Sequence, residues 1–206
     1  MDARTTFLGA AAAFEQQVAR IPVPALTGPG LGDWDLRSLV GHTSRSLVTV
    51  ETYLDQPAAA VEVPTAADYY LAIGSALAAG GPEIVERGRQ AGLALGDDPS
   101  SFVGDLAGRV RDKLAGYDAT YVLTTIAGGM PLEEYLRTRT FELVVHGLDL
   151  ERACGVAQEL EPSSGSDALV DAATLAAEVA VLTGRGPDLL LALTGRATLA
   201  EGFSVV

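Results

Sequence analysis

"RTRTFELVVHGLDL", residues Arg137 to Leu150, holds one of only two histidines in the chain and sets Glu142 four residues ahead of His146. Four residues make one helical turn, so both side chains point the same way if the stretch is helical. At about 100° per residue, Arg139, Glu142, His146 and Asp149 fall within an arc of about 80°, and Leu136, Leu143 and Leu150 lie directly beside it. A solvated stripe normally has polar neighbours, so four polar groups bordered by leucines indicate a face turned inward. Buried polar groups must then have partners. Glu and His at this spacing also form ordinary surface ion pairs, and spacing alone leaves both readings open.

Outward from this stretch, the helical period extends from about Leu132 to Cys154, with Gly155 as the stop. The alanine-rich chain, with 6% aromatic residues, favours helices and lets them approach closely, so an all-α bundle is expected. A first helix is predicted over about residues 3–20, followed by the loop "IPVPALTGPGLG". Asp33 is the expected N-cap of a second helix, in which Leu36, Val40, Leu47, Val50 and Leu54 recur at helical intervals.

Pro64 and Thr65 open a further helical stretch, which Gly80, Gly81 and Pro82 interrupt, and another helix follows in "GDDPSSFVGDLAGRVRDKL". The β-branched, glycine-bearing "YVLTTIAGGM" reads as a short extended piece or a loop. A last helix is expected from about Ser166 to Leu182. The tail after Gly184 reads as an appendage packed on a bundle formed by residues 1–184. There is no internal repeat and no low-complexity linker.

With 206 residues the chain is long enough for one large domain with a substantial core. Its 27 acidic and 14 basic side chains leave a net charge of −13, which repels phosphate backbones and anionic membranes and disfavours nucleic-acid binding. The single cysteine, Cys154, excludes an intramolecular disulfide and cysteine-rich zinc motifs, and it fits a reducing compartment. Asp2 and Glu15 argue against reading the N-terminal apolar run as a secretion signal. No uncharged apolar stretch approaches the length of a bilayer span, so a soluble cytoplasmic protein is expected.

The other histidine, His42, sits at the edge of the apolar face of its helix, near Leu39 and Ser46, where it can meet a neighbouring helix. Two neutral imidazoles and a carboxylate projected inward from two bundle helices suit a divalent cation, notably Zn²⁺. Three protein ligands leave a coordination position open for chemistry or exchange. No Glu-x-x-His pair of a di-metal centre occurs, no HExxH occurs, and the glycines of "GPGLGD" enclose Pro29 without a preceding strand, which argues against a phosphate loop.

Together, "WDLRSLVGH", "LRTRTFELVVHGLDLERACG" and "LLLALTGR" resemble the mycothiol-dependent maleylpyruvate isomerase family of actinobacteria, whose core is a DinB-like four-helix bundle. The resemblance runs through most of the chain, with residues 55–130 matching in pattern more than in motif. It implies a metal, typically zinc, held by His42, Glu142 and His146, with mycothiol binding near it. Partners would be a small-molecule thiol and an electrophilic substrate, in an isomerase or an S-transferase. Arg139 either holds the Glu142 carboxylate or receives an acidic group of substrate or cofactor. Asp149 either orients a ligand imidazole or pairs with Arg139 or Arg152. Trp34 and Tyr135 are candidate pocket residues for the cofactor, against the plainer reading of core packing.

Three classes of function stay open on the residues: a metal-dependent thiol enzyme, a non-catalytic module that binds a metal or small molecule, and a structural or dimerising bundle. Pairing of helix faces into a homodimer is compatible with each.

Overall fold

The computed structural model describes residues 2–79, 81–160 and 165–206. The elements run α1 (Ala3–Arg20), α2 (Leu36–Tyr53), α3 (Ala66–Ala79), α4 (Gly81–Ala94), α5 (Pro99–Leu114), β1 (Val122–Thr125), β2 (Gly128–Pro131), α6 (Leu132–Cys154), α7 (Gly165–Leu182) and α8 (Gly186–Leu193). Of the predicted interruption between α3 and α4, Gly80 lies outside the described residues.

The helix starts follow local capping chemistry. Asp2 accepts hydrogen bonds from the Arg4 and Thr5 amides, and Asp98 accepts one from Ser101 at the start of α5. In α2 the cap is Asp35, whose carboxylate accepts the Ser38 amide at 2.7 Å. The expectation of Asp33 is corrected: residues 29–35 are held by a backbone bridge between Pro29 and Asp35, so the helix cannot begin until the second aspartate. The loop after α1 contains a 3₁₀ turn, Val23–Thr27. At the end of α6, Gly155 adopts φ 72°, and its amide bonds to the Glu151 carbonyl.

α1 and α2 each pack against both α5 and α6, so α1 faces α2 across the bundle and α5 faces α6. This is an all-α, DinB-like bundle. Phe7 and Phe14 of α1, Leu39 and Leu47 of α2, Leu106 and Val110 of α5, and Leu136, Leu143 and Leu150 of α6 are almost wholly excluded from solvent. Each such side chain contributes about 1.5–3 kcal/mol of burial. The three leucines beside the polar arc are thus in the core, and that arc is turned inward.

α4 packs on the outside of α2. A Cβ on Gly41 would collide with the backbone of Ala91 and Gly92, so the glycine permits this close approach one residue before His42. α7 packs on α6 and α1, tied by Arg137, which pairs with Asp171 at 2.9 Å and Glu178 at 3.1 Å.

The stretch "YVLTTIAGGM" forms an antiparallel hairpin, with Leu123 opposite Met130 and Thr125 opposite Gly128. Both Leu123 and Met130 are fully buried, so the hairpin is anchored to the core while its tip, Ile126, stands 72% exposed. In the tail, α8 packs on α7 but buries none of its residues. No helix among the described residues is long and apolar enough to cross a membrane.

Candidate metal centre

α6 begins with Glu133 and Glu134 in its first turn, where acidic groups suit the helix dipole. Glu134 also accepts the Ala66 amide at 2.8 Å, tying the start of α3 to α6. Because α2 packs on α6, His42 reaches the face that carries Glu142 and His146. One ligand atom from each of the three lies within 4.8 Å of the others. The two imidazoles meet edge to face, with ring centroids 4.8 Å apart.

Each group is oriented by a neighbour. His146 lies between two carboxylates, with Nδ1 3.1 Å from Asp149 Oδ2 and Nε2 3.2 Å from Glu142 Oε2. The Tyr70 hydroxyl donates to Glu142 Oε1 at 2.6 Å. Trp34 stacks on His42 at 4.4 Å; its indole N–H donates to the Val85 carbonyl, and its ring occupies the space left by Gly88. Trp34 thus lies behind His42 and holds it from the α4 side.

The electrostatics separate the two histidines. Burial lowers the His42 pKa to about 4, and the neighbouring His146 adds to the effect. Burial opposes a charge on His146 too, but its hydrogen bonds to Asp149 and Glu142 outweigh this and raise its pKa. Glu142 is held below the usual carboxylate range despite burial, chiefly by His146 and Arg139. Without a cation, the arrangement is a neutral His42 beside a Glu142–His146–Asp149 ion triad.

That triad satisfies its own members, but His42 Nδ1 is buried with no hydrogen-bond partner among the described residues. An unmade bond of this kind costs about 1–3 kcal/mol. The 3.2 Å from Glu142 Oε2 to His146 Nε2 also matches the ligand–ligand edge of a tetrahedral zinc site, roughly 3.3 Å for bonds of about 2.0–2.1 Å. The donor set therefore fits a divalent cation.

A cavity of about 240 Å³ opens beside the site, walled by His42, Glu142, Arg139 and Tyr135, with Arg45 and Arg87 also lining it. Arg139 does not pair with Glu142. Its guanidinium lies over the rings of Tyr135 (5.0 Å) and Tyr69 (5.6 Å), and its Nε donates to Thr138. Among the described residues no carboxylate comes within ion-pair distance of it. Tyr135 is fully buried on the same wall, and its hydroxyl, beside Thr49, lacks a partner in good geometry among the described residues. Ile73, Ile84 and the hairpin tip Ile126 form the apolar part of the lining.

Sequence reasoning missed Tyr70, Tyr69, Arg45, Arg87 and Ile126. Only the adjacent tyrosines of "ADYYL", in an aromatic-poor chain, gave a signal that could have drawn attention.

Residues 3–151 match the family model described as the mycothiol maleylpyruvate isomerase N-terminal domain, a span that includes all three candidate ligands. No curated protein and no solved structure matches the chain significantly.

Proposed function

The chain belongs to the mycothiol maleylpyruvate isomerase N-terminal domain family, and on that premise we propose that it is a metal-dependent isomerase or S-transferase using the thiol of mycothiol. His42, Glu142 and His146 would hold one divalent cation, zinc on the chemistry of two imidazoles and a carboxylate. A cation bound there would favour the thiolate form of a nearby thiol over the protonated one, which predominates in a free thiol at neutral pH.

The remaining work falls to this chain's side chains. Asp149 keeps the His146 proton on Nδ1 and so leaves Nε2 as the donor atom. Arg139, backed by two aromatic faces and without a carboxylate partner among the described residues, is poised for an acidic group on the electrophile, with Arg45 and Arg87 adding positive potential. Three guanidinium groups against Glu142 make this cavity a cationic pocket on a protein of net charge −13. No protein nucleophile is required: the Cys154 thiol donates to the Leu150 carbonyl two turns beyond His146.

The observation that carries this reading is the convergence of His42, Glu142 and His146, each offering one ligand atom within 4.8 Å of the others. A purely structural hydrogen-bond network accounts for Glu142, His146 and Asp149 but not for His42. Elemental analysis after metal-replete purification should find one divalent ion per chain, absent from the His42→Ala/His146→Ala double variant. Turnover of mycothiol with a panel of acidic electrophiles should depend on that ion. A wild-type protein that takes up no metal would sink the assignment, and full metal occupancy without turnover would leave a binding module.

A further inference from the structure

We propose that Tyr70 is a positioning residue that confines Glu142 to a single donor oxygen and so keeps one coordination position of the centre vacant for an exogenous ligand. The proposal rests on the metal-dependent reading above. It concerns what holds Glu142 to one donor oxygen, which that reading leaves unassigned.

The geometry is specific. Tyr70 comes from α3, is 4% exposed, and donates its hydroxyl to Glu142 Oε1 at 2.6 Å. The second oxygen, Oε2, faces His146 Nε2 at 3.2 Å. The two oxygens thus have different partners, one fixed by a phenol and the other directed at the candidate ligand set. The phenol itself cannot readily swing aside, because its ring packs edge to face against Phe141 (5.3 Å, 62°) and Tyr69 (5.7 Å, 90°).

A carboxylate can bind a cation through one oxygen or both. With two imidazoles already present, a bidentate Glu142 would complete four protein donors, the closed arrangement typical of structural zinc sites. With Oε1 held by Tyr70, three protein donors remain, the arrangement of a site open to a water or thiolate. Tyr70→Phe removes the restraint and leaves the ring packing intact.

The test uses the Co²⁺-loaded full chain and 2-mercaptoethanol as the thiol probe. Wild type should bind Co²⁺ and, on titration with the thiol, develop a sulfur-to-cobalt charge-transfer band. Tyr70→Phe should bind Co²⁺ at least as tightly, with an altered d–d spectrum, and should bind the thiol about 10-fold or more weakly, the size expected when one hydrogen bond to a charged group no longer keeps the competing carboxylate oxygen away.

If the variant matches wild type in d–d spectrum and thiol affinity, the proposal is overturned while metal binding stands. Loss of Co²⁺ binding by Tyr70→Phe also overturns it, since a residue that merely limits donor number is not needed to hold the ion. Failure of wild type to bind Co²⁺ overturns the metal reading itself, an outcome separate from the other two.

Discussion

α6 and α8 invert what hydropathy alone would assign to them. α6 carries Arg139, Glu142, His146 and Asp149 on a face turned into the bundle, whereas α8, "GPDLLLAL", leaves Leu190 63% and Leu193 75% exposed. The difference lies in the neighbours. α6 is packed by α1, α2 and α7, so its polar face is enclosed and finds partners within it, while α8 is packed chiefly on α7. Enclosure by several helices decides burial, and the side chains on the enclosed face must then be either apolar or mutually satisfied.

The largest expected contrast follows from truncating one leucine in each helix. Leu143→Ala in α6 should destabilise the protein by about 2–5 kcal/mol, read from the denaturant midpoint. Equal costs for Leu143→Ala and Leu193→Ala would break the comparison.

Acid should expose the penalty of enclosing polar groups. The His42 pKa falls from 6.5 to about 4 on folding, so in metal-free protein its contribution is complete above about pH 6.5. It is lost as the pH falls toward 4, because the unfolded chain takes up that proton first. His42→Asn should flatten the stability–pH slope in this window, and an unchanged slope would place the titration elsewhere. His146, whose pKa is raised, acts in the opposite sense: its contribution is present below pH 6.5 and is lost as the pH rises through its higher folded value.

A smaller effect is expected at the edge of the triad. Asp149→Asn keeps the shape but weakens the hold on the His146 proton, and metal affinity should fall about 10–100-fold by competition titration. Retention of wild-type affinity would mean that Asp149 does not orient the ligand. The smallest effect is on α8, where Leu193→Ala should change stability by less than about 0.5 kcal/mol in chemical denaturation.

Much of the local structure was legible because its causes lie within a turn or two. The apolar period of α6, its acidic first turn and the left-handed glycine at its end delimit the helix from Leu132 to Cys154. The i,i+4 spacing of Glu142 and His146, bordered by three leucines, identified an inward polar face. The cap of α2 was misread by two residues because a backbone bridge, invisible in a linear pattern, holds Asp33 outside the helix. Arg139 lay on the right face, but its partners are tyrosine rings, not the nearby carboxylate that helical spacing suggested.

The amino-acid sequence by itself determined an all-α chain, the extent of its main helices, and that Glu142 and His146 share one helix face bordered by leucines, because periodicity and capping are encoded by near neighbours. Only the tertiary structure decided that His42 meets Glu142 and His146, that Tyr70 takes one carboxylate oxygen across 72 residues, and that three arginines and the hairpin tip enclose one cavity. Those contacts join helices far apart in the chain, and their distances depend on how closely the helices pack, as at Gly41 and Gly92, where two backbones touch because neither carries a side chain.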